Sequence, residues 1–130
     1  MIPATQFEDL PIRVGLGQFQ VPTDSLLAYI KQCGVDDIQM NTAVLPGESR
    51  WEYEDLASLR EQVNAAGLRL MSLENVPVTF YDKIMLGQPG RDEQLDHMVA
   101  TVTNMGRAGI PILGYHFMPT GVWRTSRSEP

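Results

Sequence analysis

Apolar residues recur along this chain in two alternating periods. Leu26, Leu27, Ile30 and Cys33 fall on one side of a helix that Pro22, Thr23 or Asp24 can start and Gly34 stops. Leu56, Leu59, Val63 and Ala66 repeat in the same way in "YEDLASLREQVNAAG", with acids in the first turn and Gly67 at the end. Leu95, Met98, Val99, Val102 and Met105 mark a third helix in "RDEQLDHMVATVTNMGRAG", stopped by Gly109.

Each stop leads directly into a short apolar or alternating run: "CGVDDIQM", "AGLRLMSL" and "AGIPILGY". With "IRVGLGQF" before the first helix, the pattern predicts four strands, near Arg13–Phe19, Asp37–Asn41, Arg69–Asn75 and Ile110–Phe117. Strands alternating with helices form a parallel sheet with right-handed crossovers, so the predicted class is α/β. Such units build either an open doubly wound sheet or a (β/α) barrel, and the pattern alone separates the two poorly. "GLGQF" lies within a strand rather than between strand and helix, so it is no dinucleotide-binding turn.

Polar residues gather at the far ends of these strands: Gln18 and Gln20, Asn41 and Thr42, Glu74 and Asn75, Tyr115 and His116. The linkers that follow, "TAVLPGESRWEYED" and "PVTFYDKIMLGQPGRDE", are long, whereas the helix-to-strand joints are minimal. Ligands of parallel α/β sheets sit at the carboxyl ends of the strands, so this rim is the expected functional face.

The chain of 130 residues is 43% hydrophobic and 20% charged, an ordinary globular balance for one domain. A net charge of −6 with no basic stripe argues against a nucleic-acid surface. A single cysteine excludes an intrachain disulfide framework, and "MIPATQFEDL" has neither the basic nor the apolar region of a signal peptide. No apolar run approaches the roughly 20 residues that cross a bilayer. These features lead to the expectation of a cytoplasmic protein with no membrane partner.

His116, at the end of the fourth strand, can ligate metal, donate to a substrate hydroxyl or shuttle protons; a strand-end hydrogen-bond network is the alternative. Glu74 and Asn75 end the third strand, where a carboxylate can act as base or bind metal, or pair with an arginine. Arg124 offers a planar fork to a carboxylate and Trp123 a flat wall to a sugar, although the two can also stack to pin a loop. Asp92 and Glu93 complement a helix dipole. His97 falls off the apolar stripe and is expected in solvent, and Cys33 on the apolar side of its helix is expected to be an inert buried thiol. With two histidines and one cysteine, no convincing metal cage is present.

The run "GRDEQLDHMVATVTNMGRAGIPILGYHFMPTGVWRTS" is similar to the mannonate dehydratase segment that reads R-D-E, a helix, G-I, Y-N-F-M-P and W-x-R-T. "LRLMSLENVPV" resembles that family's strand ending E-S-[VI]-P-V, and "GESRWEYEDLASLREQVNAAGL" its P-G-E, W and helix ending A-G-L. His116 stands where the family commonly has Asn, Val122 where many members have Asp, and the spacing from Pro119 to Arg124 is one residue shorter. "PVTFYDKI" lacks the His-Glu pair often found after P-V.

The resemblance implies a (β/α)8 TIM barrel related to xylose isomerase-like enzymes. It also implies dehydration of D-mannonate to 2-dehydro-3-deoxy-D-gluconate in glucuronate breakdown, with Mn2+ or Fe2+ held by Cys, His and Asp from the second half of the barrel. Residues 1–130 are then one partial domain, the first four β/α units, and contain none of the metal ligands. On this expectation Glu74 and His116 are catalytic, and Asn75, Trp123 and Arg124 bind a small-molecule sugar acid. Two alternatives stand beside it: a sugar isomerase or epimerase on the same barrel, and a non-catalytic half-barrel. Either way, exposed edges and an uncovered inner face lead to the expectation of a homo-oligomer or association with a C-terminal half.

Overall fold

The computed structural model describes residues 12–119. Within them Gly34, Gly67 and Gly109 each take a left-handed backbone, with φ of 74°, 73° and 74°. This is the geometry that closes a helix and that a Cβ disfavours. A strand begins within three residues of each: β2 (Asp37–Asn41) follows α1 (Asp24–Gln32), β3 (Arg69–Glu74) follows α2 (Tyr53–Ala65), and β4 (Ile112–Gly114) follows α4 (Arg91–Arg107). β1 (Gly15–Phe19) precedes them, and the four strands form one parallel sheet in the order β1-β2-β3-β4. The α/β class and the alternating order are those predicted.

Thr23 caps α1, its Oγ1 accepting from the Leu26 amide at 3.3 Å. The linker after β3, read from sequence as a loop, contains a 3₁₀ turn (Val78–Phe80) and the short helix α3 (Asp82–Leu86). No helix among the described residues is long and apolar enough to cross a membrane.

One face of the sheet carries Ile38, Met40, Leu70 and Leu73, all buried in a core shared with Leu27, Ile30, Leu56 and Val63 of α1 and α2. The other face is open and largely polar. Two bulges decide which residues reach it. Leu16 pairs with Ile38 and Phe19 with Met40, so β1 carries one extra residue between those pairs. Ile38 pairs with Leu70 and Gln39 with Ser72, so β3 carries one too. Side chains alternate with period two, and one extra residue reverses all that follow. In an unbroken β1, Gln18 would share the face of Leu16, and in an unbroken β3, Glu74 would share that of Leu70. The bulges turn both to the open face.

Three sequence expectations are corrected. On α4 the predicted apolar stripe is split: Leu95, Val99 and Val102 are exposed, Met105 is buried and Met98 packs against the core, and the other buried positions are the polar Gln94, Thr101 and Asn104. Hydrogen bonds to neighbouring loops satisfy these polar groups, which makes their burial tolerable. Cys33 is exposed rather than buried, because α1 ends at Gln32 and Cys33 is its cap. His97 is half-buried, not solvent-facing.

β4 spans only Ile112–Gly114. Ile110 belongs to the helix-to-strand turn, its amide donating to Met105 O at 3.0 Å, and Tyr115, His116 and Phe117 follow the strand. Asp92 and Glu93 lie in the first turn of α4, as the dipole reading expected.

Candidate functional site

The open face is organised around two carboxylates in different company. At the amino ends of the strands, Asp37 is nearly buried and takes Arg13 Nε at 2.9 Å and Arg69 Nε at 2.8 Å. At the carboxyl end of β3, Glu74 meets no cation among the described residues. Its Oε2 accepts from Gln39 Nε2 at 2.7 Å and also from Gln18 Nε2. A cleft of about 660 Å³ runs over this face, lined by Gln18, Gln39, Ser72 and Ile112 among others.

Strand β1 comes unusually close to β2 here. A Cβ built on Gly17 would lie 2.6 Å from Gln39 O, so only glycine fits without movement. This approach brings side chains from three adjacent strands to one oxygen.

Just past β2 and β3 the backbone uses the same device twice. Thr42 (φ 47°) and Asn75 (φ 62°) are left-handed, and their amides donate to Glu74 O and Gly114 O, each at 2.8 Å. Non-glycine residues in this region carry strain, most of all a β-branched threonine, and strained backbone concentrates at functional sites. The Asn75 side-chain Nδ2 donates to Asn41 Oδ1 at 3.4 Å, which also accepts from Thr42 Oγ1 at 2.9 Å.

The loops above the rim are fixed by the buried polar face of α4. Gln94 Nε2 donates to Thr79 O (2.9 Å) and Asp82 Oδ1 (2.6 Å), while its Oε1 accepts from the amides of Lys83 (2.9 Å) and Ile84 (3.2 Å). The side-chain amide thereby uses both donors and both acceptor sites. Asp82 is held below the ordinary carboxylate range, chiefly by the Gln94 hydrogen bond, with the Lys83 amide and charge adding to it against burial. Two to three turns further along α4, Thr101 Oγ1 accepts from the Trp51 amide (3.3 Å) and Asn104 Nδ2 donates to Trp51 O (3.0 Å). The buried Trp51 ring packs edge-on to Phe80, tying the loop after β2 to the loop after β3.

His116 makes no hydrogen bond to Glu74 among the described residues. It lines a separate, almost wholly apolar cavity of about 220 Å³ with Asn75, Tyr81, Met98, Leu113 and Phe117, and its Nδ1 is buried without a hydrogen-bond partner among the described residues. Burial pushes the Tyr81 phenol above its ordinary value, and its ring lies 5.6 Å from Phe117. Asn75 touches both regions. Trp123 and Arg124 lie outside the described residues.

The residue that sequence reasoning missed is Gln39. The alternation in "DIQMN" sets Asp37, Gln39 and Asn41 on one face, which was a usable signal. Its hydrogen bond to Glu74 depends on the bulge in β3.

Among the described residues no three His, Cys, Asp or Glu side chains come together to hold a metal ion. The divalent ion expected from the resemblance is therefore not accommodated by these described residues alone.

These features define a class: a parallel α/β protein with its polar groups gathered at the carboxyl ends of the strands and a carboxylate set on an open face. The sequence model for D-mannonate dehydratase (UxuA) matches residues 18–129, and the chain belongs to that family. It is 37% identical over 82 residues to a mannonate dehydratase of Streptococcus equi subsp. zooepidemicus, a match covering 63% of this chain and 22% of that protein. Against the mannonate dehydratase of Streptococcus agalactiae serotype Ia the identity is 41% over 73 residues, covering 56% and 20%. The crystal structure of mannonate dehydratase from Streptococcus suis serotype 2 superposes with a TM-score of 0.74 at 29% identity, covering 87% of this chain and 32% of that one. The matched region thus spans about a fifth of the length of the curated relatives.

Proposed function

We propose that the protein containing this chain is a hydro-lyase that converts D-mannonate to 2-dehydro-3-deoxy-D-gluconate, and that the sheet is the first half of a (β/α)8 barrel. The observation that carries the reading is Glu74 at the carboxyl end of β3, on a polar open face, held by neutral amides rather than neutralised by arginine. A carboxylate so placed can take a proton from a substrate carbon.

In this reaction the C2–H and C3–O bonds break. The proton passes to a base, the hydroxyl leaves as water after protonation, and the resulting enol tautomerises to the 2-keto acid. Glu74 is assigned the C2 proton and His116 the proton for the departing hydroxyl. Asn75 is assigned a substrate hydroxyl, Trp123 the sugar-acid chain, and Arg124 the substrate carboxylate through its planar fork. A Mn2+ or Fe2+ ion, if held by residues outside this chain, would supply positive charge to the reaction. The setting proposed for this activity is the cytoplasm, in a homo-oligomer or with this unit packed against a C-terminal half.

The test is to incubate the full-length protein with Mn2+ and D-mannonate and follow formation of the 2-keto-3-deoxy acid. Turnover is expected, and Glu74→Gln is expected to lower kcat by about 100-fold or more, in the range of a lost general base. Absence of the keto acid overturns the substrate assignment, and isomeric products formed without loss of water favour a sugar isomerase instead.

A further inference from the structure

We infer that Gln39, with Gln18 beside it, is a positioning residue that sets the reactive orientation of Glu74. The inference deepens the proposed function, since it rests on Glu74 meeting the substrate.

The two carboxylates of the open face are held in contrasting ways. Asp37 is bracketed by two guanidinium groups, a cationic arrangement that fixes a carboxylate and cancels its charge. Glu74 receives two neutral amide donors, both on Oε2. Neutral donors orient a carboxylate while leaving its negative charge in place for a proton or a cationic group. Because both act on one oxygen, they define the plane of the carboxylate and leave Oε1 with no hydrogen bond among the described residues.

The backbone is arranged to make this grip. Gln18 and Glu74 reach the open face only through the bulges in β1 and β3. Gln39 lies on the regular strand between them, and the side-chain-free Gly17 allows β1 to approach its carbonyl. Asn75, immediately after Glu74, is fixed by the hydrogen bond its backbone amide donates to Gly114 O at 2.8 Å, so the backbone that carries Glu74 is anchored as well. Bulges beside active sites characteristically re-aim a side chain.

The experiment is made on the full-length protein with Gln39→Leu, and with Gln39→Glu as a second variant of the same length. Crystal structures of both are expected to show the Glu74 carboxylate displaced by about 1 Å, and kinetics on D-mannonate a fall in kcat of about 100-fold with KM little changed. A merely structural role would lower thermal stability without that split between kcat and KM. An unmoved Glu74 in both variants, or a raised KM with kcat intact, overturns the inference. If the unaltered protein does not dehydrate mannonate, the proposed function falls, and the position of Glu74 in the two crystal structures decides the positioning role by itself.

Discussion

Gly17 shows how much the site depends on a missing side chain. At 2.6 Å a Cβ would overlap Gln39 O, and the obstacle is backbone rather than a flexible tip. For Gly17→Ala we expect a loss of about 1–3 kcal/mol in chemical denaturation, the usual cost of overpacking. Activity should fall further than stability explains, because separating β1 from β2 also separates Gln18 and Gln39. Thr42 and Asn75 carry the related message that the strand ends are strained where the rim polar groups stand. None of these three positions announces itself in the sequence, since close approach and left-handed backbone depend on neighbours distant along the chain.

At the scale of the element, α4 sets polar side chains beside Met105 on its buried face. Its buried face holds Gln94, Thr101 and Asn104, each bonded to a loop that follows β2 or β3, and its apolar Leu95, Val99 and Val102 point away. Gln94→Leu leaves the amides of Lys83 and Ile84 and the carbonyl of Thr79 without this partner, so we expect a loss of about 1–3 kcal/mol by denaturant titration.

The pH dependence follows from Asp82, whose folded-state carboxyl is lowered chiefly by Gln94. A lowered carboxyl contributes stability above its unfolded value, about 3.9, and that contribution disappears as pH falls through the folded value. The gap in Tm between the parent and Gln94→Leu should therefore narrow as pH drops below about 4. A gap that widens there would show that Asp82 is not the partner that matters.

For the molecule as a whole, apolar residues are left exposed in more than one place. Leu95, Val99 and Val102 on α4 and Ile112 on the edge strand β4 remain about half exposed or more. An edge strand beside uncovered apolar side chains favours association. We expect this chain, prepared alone, to self-associate in sedimentation experiments. Val99→Lys should weaken that association by roughly tenfold, in line with about 1.5 kcal/mol for a buried valine, with the far-UV spectrum unchanged.

The sequence by itself determined the α/β class, the alternation of elements, the glycines that close the helices and the rim on which Glu74 and Asn75 stand. These are local matters, set by period, caps and stops within a dozen or so residues. It also carried the family, through motifs around Glu74 and His116. Only the tertiary structure decided which way the side chains face. One extra residue in β1 and one in β3 turned Gln18 and Glu74 to the open side, and distant loops made polar residues the buried face of α4. It also set His116 beside Asn75 and Tyr81 in an apolar cavity, while Gln39 holds Glu74. Register and burial are decided between strands and helices far apart in the chain, so no reading of a single segment contains them.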